Sequence, residues 1–245
     1  MSMSKQINSQ MKVGCPHFKG EYRKYKQSDY NIYRALNEFI DNVITKSNII
    51  KINLEVRNNK LRQIKICDNY KKGFENINEE GIENPFNMSH IRSGQYEDGE
   101  TSQFGIGMKA GAISTGEKFE VYTRVANKYY KVEMYFIEMS ERENPMESFN
   151  PKLFEISKEE YLDKHKNEYG STIILSCIND NIYHRTNEED IINNILNNLS
   201  ETYGDIIKKG RISILVNDKK VQSKNSYFES PECSIFNKYM NIYML

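Results

Sequence analysis

Residues 35–42 read Ala-Leu-Asn-Glu-Phe-Ile-Asp-Asn, and they lie in a segment whose apolar residues recur at helical spacing. The segment is predicted to form an amphipathic helix that begins near Tyr30. Its apolar stripe consists of Ile32, Leu36, Phe39, Ile40, Val43 and Ile44. Glu38 and Asn42 are four residues apart, so they lie one turn apart on the same face, at the edge of that stripe.

The side chains of Glu38 and Asn42 suit a hydrolytic site that holds a metal ion. A carboxylate at the edge of a buried stripe needs a partner or a chemical role, and a glutamate can take a proton from water. An asparagine oxygen can complete the oxygen shell that Mg²⁺ prefers. The same spacing is common in ordinary surface helices, so the pair alone leaves both interpretations open.

The segments around this helix alternate between strand and helix patterns. A strand with apolar residues at every second position is predicted over 50–56, followed by a turn at Asn58-Asn59 and a second strand that ends at Asp68. The further predicted elements are short helices over 75–83 and 110–115, strands over 118–125, 129–137 and 170–177, a charged loop over 138–165, a polar helix over 187–203, and a hairpin over 211–221. This order predicts an α+β sandwich with helices on one face of a largely antiparallel sheet.

Asp68 stands at the carboxyl end of an apolar strand, where ligands commonly bind. Its carboxylate could accept a hydrogen bond from an amino group such as that of adenine. Gly73 follows five residues later and would allow the backbone to come close to a ligand. Alternatively, Asp68-Asn69 simply opens a turn.

A glycine-rich turn, residues 104–109, precedes the helix over 110–115. Backbone N–H groups at a helix start attract phosphate, and Lys109 adds a positive charge. The loop over 84–104 has little periodicity, and such a loop could close over a bound nucleotide. Two glycines before a helix are also explained by close packing. The chain has neither the Walker A pattern nor the Rossmann fingerprint, so its mode of binding phosphate would differ from both.

Composition excludes several classes of protein. The 245 residues include 34 Lys+Arg and 34 Asp+Glu, so net charge gives no argument for a nucleic-acid partner. The polar first ten residues and the lack of a long apolar run favour an intracellular protein without a membrane span, either cytoplasmic or nuclear. Cys67 and Cys177 lie in apolar runs and are predicted to be buried free thiols.

In their order and spacing, these motifs resemble the GHKL superfamily (gyrase, Hsp90, histidine kinase, MutL). Residues 35–42 look like its N-box, and residues 102–109 look like the glycine motif that ends its ATP lid. Within the superfamily, Microrchidia-like or Hsp90-like members are the most similar, because Ser89-His-Ile-Arg-Ser93 and Lys109 resemble the Microrchidia pattern. The fold implied is the Bergerat ATP-binding fold, a two-layer α/β sandwich with a mostly antiparallel mixed sheet.

The resemblance also implies roles for single residues. Glu38 would be the general base, Asn42 the magnesium ligand, and Asp68 the acceptor for the adenine amino group. The other implied ATP contacts are Gly73, Phe104, Gly105, Ile106, Gly107, Met108, Lys109 and Thr172. The implied domains are an N-terminal arm with little regular structure over 1–29, an ATP-binding domain over 30–180 with a lid at 85–108, and a transducer-like helix and hairpin over 181–245.

Three positions depart from the family pattern. The family has DxGxG after the strand, whereas this chain has one more residue before Gly73 and Tyr70 in place of the first glycine. An acidic residue common after the N-box is replaced by Thr45. Lys219, Lys220 and Lys224 are candidates, by location alone, for a lysine that reaches the γ-phosphate.

The function implied is ATP binding with Mg²⁺ and hydrolysis, in which lid closure drives homodimerisation or partner binding. Two alternatives remain open, a nucleotide-gated interaction module without turnover and a protein kinase of the same fold. Glu38 argues against the kinase, because kinases of this fold usually carry asparagine there. A protein or DNA partner is compatible with the sequence, which does not identify one.

Overall fold

The computed structural model describes residues 16–81, 83–87, 106–183 and 187–223. The strands are β1 (Ile49–Arg57), β2 (Lys60–Asp68), β3 (Gly116–Val125), β4 (Lys128–Tyr135), β5 (Lys152–Ile156), β6 (Ser171–Ile178), β7 (Ser213–Val216) and β8 (Lys219–Lys220). The helices are α1 (Phe18–Lys26), α2 (Ile32–Asp41), α3 (Gly107–Thr115), α4 (Phe136–Glu141), α5 (Lys158–His165) and α6 (Glu188–Lys208), with a 3₁₀ turn at Glu147–Phe149.

The eight strands form one mixed sheet in the order β5-β4-β3-β6-β2-β1-β7-β8. β1 and β7 are parallel, and the other neighbouring strands in this sheet are antiparallel. The turn between β1 and β2 has positive φ at Asn58 and Asn59, as predicted. Asn217, also at positive φ, bonds through its side chain to both backbone groups of Leu54 and so ties the last hairpin to β1.

The main core lies between the sheet and a layer of helices. The apolar stripe of α2 is fully buried at Leu36, Phe39 and Ile40, and the Phe39 ring stacks on Phe119 of β3 at 6.4 Å. The side chain of Asn31 accepts a hydrogen bond from the backbone N–H of Arg34, which starts the helix at Ile32. The predicted α+β sandwich is confirmed.

Helix α5 lies on the opposite face of the sheet, so the prediction that the helices lie on one face is wrong for this helix. The main core contains Val121 and Ile173, whereas α5 packs on the adjacent residues Tyr122 and Ile174. Successive side chains of a strand point to opposite faces, so α5 covers the side away from the main core. Its buried anchor is Tyr161.

The structure corrects four predictions of local structure. The described residues of this range, 75–81 and 83, form turns and irregular structure instead of the predicted helix over 75–83, because Asn76 and Gly81 have positive φ. The predicted loop over 138–165 contains β5, α5, the 3₁₀ turn and most of α4. Cys177 is an exposed free thiol, whereas Cys67 is buried and free as predicted.

Among the described residues, none of the helices has the length and hydropathy that a membrane span requires.

The fourth correction concerns the predicted arm, where residues 18–26 form helix α1. Phe18 is fully buried and stacks on Phe136 at 6.1 Å and edge-on against Phe149 at 5.7 Å. Lys26 pairs with Glu117 of β3 at 2.6 Å. The segment is therefore held by the core and by the sheet.

We expect Phe18→Ala to destabilise the protein by about 3–5 kcal/mol, because it empties a closely packed aromatic site. Lys19→Ala, an exposed change in the same helix, should stay within about 0.5 kcal/mol of the wild type. Urea unfolding of both variants measures the difference. Equal stability of the two variants would show that α1 is dispensable for the fold.

Candidate functional site

The carboxylate of Glu38 lies against the first residue of α3. A Cβ added at Gly107 would overlap the Glu38 carboxylate, and one added at Gly111 would be in ordinary contact with Ala35 at 3.5 Å. Glycine at 107 therefore allows α2 to approach the amino end of α3. Among the described residues, the N-cap Ile106 makes no side-chain hydrogen bond to the first turn of α3.

Glu38 is half-buried and held by one tyrosine. The Tyr30 hydroxyl donates a hydrogen bond to Oε1 of Glu38 at 3.3 Å. Burial raises the pKa of Glu38, and the charge of Asp41 raises it further. The Tyr30 hydrogen bond and the nearby Arg34 act in the opposite direction. The result is a carboxylate with a raised pKa at the amino end of a helix.

Asn42 ends α2 as its C-cap, one turn beyond Glu38. Its side-chain N–H₂ donates to the backbone carbonyl of Glu38 at 2.6 Å, which fixes the orientation of the amide. Within the part of the chain that the structure describes, its side-chain oxygen accepts no hydrogen bond. That oxygen is the atom that could bind a cation.

Asp68, the last residue of β2, is only 6% exposed. Its Oδ1 accepts the backbone N–H of Tyr70 at 2.7 Å. Burial raises the pKa of Asp68 to about 7, although hydrogen bonds from the backbone N–H groups of Tyr70 and Ser171 oppose the shift. A buried carboxylate that is costly to ionise is a functional-site candidate, because a donor from a ligand would stabilise its charged form.

The residue beside Asp68 on β6 is Ser171, which the sequence analysis missed. The register pairs Thr172 with Cys67, one position before Asp68. The Thr172 hydroxyl lies 2.8 Å from Nδ1 of His165 and 3.3 Å from the Cys67 sulfur. The Ser171 hydroxyl lies 2.8 Å from that of Thr123. Alternation along a predicted strand gives the face of each residue but not its partner, so the sequence offered no signal for this pairing.

Gly73 closes a turn, and its backbone N–H donates a hydrogen bond to the Tyr70 carbonyl at 3.1 Å. It has φ +63°, and a Cβ there would collide with the carbonyl of Arg124. The glycine is therefore required for the turn and for its packing on β3. Its predicted contact with a ligand stays a prediction.

The glycine-rich turn is described only in part. Ile106 is 37% exposed, Met108 is buried, and Lys109 is 1% exposed. Burial lowers the pKa of Lys109 to about 7. Phe104, Gly105 and residues 88–105 of the predicted lid lie outside the described residues.

The predicted residues thus form two groups. Glu38, Asn42 and Gly107 meet where α2 contacts α3, and Asp68 lies at the end of β2 with Ser171 beside it. Thr172 is not brought to Asp68, because its hydroxyl lies against His165 of α5 on the opposite face of the sheet. Within the described residues, no cluster of three or more His, Cys, Asp or Glu side chains could hold a metal ion. A cation here would therefore need oxygen atoms from a ligand together with those of the protein.

Comparisons with known proteins support the predicted fold. The family model described as "Histidine kinase-, DNA gyrase B-, and HSP90-like ATPase" matches residues 30–168, more than half of the chain. Among solved structures, the ATPase region of Saccharomyces cerevisiae topoisomerase II bound to ICRF-187 (dexrazoxane) is similar, with TM-score 0.50 and 16% identity over 79% of this chain and 49% of that one.

The ATPase and transducer domains of topoisomerase II from Balamuthia mandrillaris match with TM-score 0.48 and 16% identity, over 82% of this chain and 48% of that one. This chain therefore spans about half the length of these structures. A search of curated protein sequences gives no significant match.

The raised pKa of Asp68 predicts how stability depends on pH. Its pKa is about 7 in the folded protein against 3.8 ordinarily, so between these values the folded state binds more protons at Asp68 than the unfolded state does. The contribution of Asp68 to the free energy of unfolding is therefore present below about pH 4 and is lost as the pH rises through 7. In Asp68→Asn this loss should disappear.

Denaturant unfolding at a series of pH values between about 4 and 7 measures the effect. The exposed Asp205→Asn serves as the control and should keep the wild-type slope. If Asp68→Asn has that slope too, Asp68 titrates near its ordinary value and the burial argument is wrong.

Proposed function

Since the chain belongs to the histidine kinase-, DNA gyrase B- and HSP90-like ATPase family, we propose that it binds ATP with Mg²⁺ and hydrolyses the bond between the β- and γ-phosphates. The observation that carries this proposal is the contact of the Glu38 carboxylate with the start of α3. A base and a row of backbone N–H groups then lie beside each other. The base is the group that activates water, and the backbone N–H groups are the donors that hold phosphate.

The adenine end of the site is proposed at Asp68. An exocyclic amino group is a hydrogen-bond donor, and the buried Asp68 carboxylate is an acceptor with no basic side chain among the causes of its pKa shift. Because burial makes ionised Asp68 costly, an added donor stabilises it more than it would an exposed carboxylate. Adenine binding should therefore lower the pKa of Asp68.

The phosphate end is proposed between Asn42 and the start of α3. The donor set fits magnesium, because the side-chain oxygen of Asn42 is oriented and a hard cation takes oxygen ligands. With only one protein ligand proposed, phosphate oxygens and water would supply the rest. When bound, the cation would neutralise phosphate charge. The backbone N–H groups of Gly107 and Met108 would then donate to phosphate oxygens.

Glu38 is proposed to hold the attacking water and to accept its proton. Its pKa is raised by burial, which makes it a stronger base than an exposed glutamate. The Tyr30 hydroxyl fixes Oε1, and this leaves Oε2 on the side of Gly107. Asp41 is less suited to the role, because its carboxylate accepts a hydrogen bond from Tyr203 at 2.8 Å.

Lid closure over residues 85–108 and ATP-dependent homodimerisation belong to the proposal on the strength of the family resemblance. Its competitor is a module that binds ATP without turnover, for which Tyr70 and Thr45 are the motivating departures from the family pattern. A Microrchidia-like or Hsp90-like subtype and an intracellular location also remain proposals.

We expect ATP with Mg²⁺, at 100 times its dissociation constant, to stabilise the wild type by about 2.7 kcal/mol. Asp68→Asn should lose most of this gain, because an amide offers one acceptor oxygen where the carboxylate offers two. Thermal shift measures it, with Asp205→Asn as the control. Equal shifts in the wild type and Asp68→Asn would remove Asp68 from the adenine site, and no shift in the wild type would overturn ATP binding.

Glu38→Gln and Glu38→Ala should bind ATP about as well as the wild type and lose turnover by about 10²–10⁴-fold, the usual contribution of a general base. Phosphate release and ATP binding are measured on the same samples. Glu141→Gln, an exposed change on α4, is the control. Loss of binding in Glu38→Gln would contradict the base assignment. Absence of phosphate release in the wild type would favour the module without turnover, and labelled phosphate on a protein would favour a kinase.

A further inference from the structure

Helix α6 contacts the helix that carries Glu38 and Asn42 through one buried tyrosine. Tyr203 is 4% exposed, and its hydroxyl donates to Oδ1 of Asp41 at 2.8 Å. The same hydroxyl lies 3.4 Å from the backbone carbonyl of Asn37. These two contacts join residues more than 160 positions apart in the chain.

The last turn of α2 has two adjacent faces, one that contacts Tyr203 and one that carries the proposed site residues. Asn37 and Asp41 are four residues apart and meet Tyr203 on one face. Glu38 and Asn42 have the same spacing, are rotated by one residue, and meet through the hydrogen bond from the Asn42 amide to the Glu38 carbonyl. A shift of this turn on the Tyr203 side must therefore move both proposed site residues.

This end of α2 depends on an external donor. Asp41 is the last residue of the helix, where the helix dipole disfavours a negative charge. Its carboxylate is also partly buried, which adds a cost unless a donor is present. Among the described residues, Tyr203 supplies the hydrogen bond to the Asp41 side chain.

Tyr203 is itself firmly placed. Ile191, Ile195 and Leu199 precede it at four-residue intervals, and all are buried. Ser200 of the same helix donates to the carbonyl of Gln222, just after β8. The position of α6 is thus set both by the core and by the segment that follows the last hairpin.

We propose that Tyr203 is a positioning residue for the ATP site, which fixes the last turn of α2 through Asn37 and Asp41 and thereby aims Glu38 and Asn42. This inference rests on the proposed function. It implies that ATPase activity requires α6 and the last hairpin, because they set the position of α2, which lies in a distant part of the chain.

The test compares Tyr203→Phe with Tyr33→Phe, a change at a partly buried tyrosine within α2 itself. Tyr203→Phe should lower kcat by about tenfold to 10²-fold with little change in KM, because misplacement by about 1 Å has effects of that size. It should also reduce the gain in ATP affinity that Mg²⁺ gives, which is measured by binding ATP with and without the metal. Tyr33→Phe should match the wild type in both.

Variants of Asp41 test whether an acceptor for the Tyr203 hydroxyl is enough to preserve activity. Asp41→Asn keeps an oxygen that accepts from Tyr203 and should retain most activity, whereas Asp41→Ala should behave like Tyr203→Phe. The double variant Tyr203→Phe/Asp41→Ala should lose no more kcat than either single change, because both remove the same contact.

The outcomes separate the two proposals. A lower melting temperature in Tyr203→Phe, with unchanged kcat and unchanged magnesium gain, would overturn the positioning role. A wild type that binds ATP without hydrolysing it would overturn the hydrolysis proposed above, and the magnesium gain would then decide the role of Tyr203. A wild type that binds no ATP would overturn both.

Discussion

The close approach of α2 to α3 is the constraint on which the rest of the site depends. The Glu38 carboxylate occupies the space that a Cβ of residue 107 would take. This contact places a partly buried negative charge at the amino end of α3, where the helix dipole offsets some of the cost of burial. The same contact fixes which backbone N–H groups lie near the carboxylate. The absence of a Cβ at Gly107 thus sets the geometry at one end of the proposed site.

Both ends of the site contain groups whose charged forms are disfavoured by burial. Asp68 and Lys109 each have a pKa near 7, shifted from opposite directions by desolvation. Buried ionisable groups that the fold does not need for its core are more easily explained by binding. Asp68 fits that explanation because desolvation outweighs the hydrogen bonds that it accepts, and Lys109 fits it through its place in the first turn of α3.

The sequence predicted those parts of the protein that depend on local pattern. The helical period of α2 and the apolar run of β2 predicted the positions of Glu38, Asn42 and Asp68 correctly, since the structure places the first two one helix turn apart and Asp68 at the end of its strand. Two of the failures depend on contacts between distant segments. Helix α1 has few apolar residues, so its burial through Phe18 could not be seen, and the register that puts Ser171 beside Asp68 is set by strands more than 100 residues apart.

The boundary drawn at residue 180 follows sequence resemblance, whereas the described residues beyond it share the sheet and core of those before it. β7 pairs in parallel with β1, and Ile195, Leu199 and Val216 belong to the same core cluster as Phe39. The connection from β6 to β7 crosses over β2 and β1 through α6, whose buried residues pack in the main core. In this protein that helix also rests on α2. The described part of the proposed transducer-like segment therefore contacts, through the Tyr203 hydroxyl, the helix that carries the proposed base.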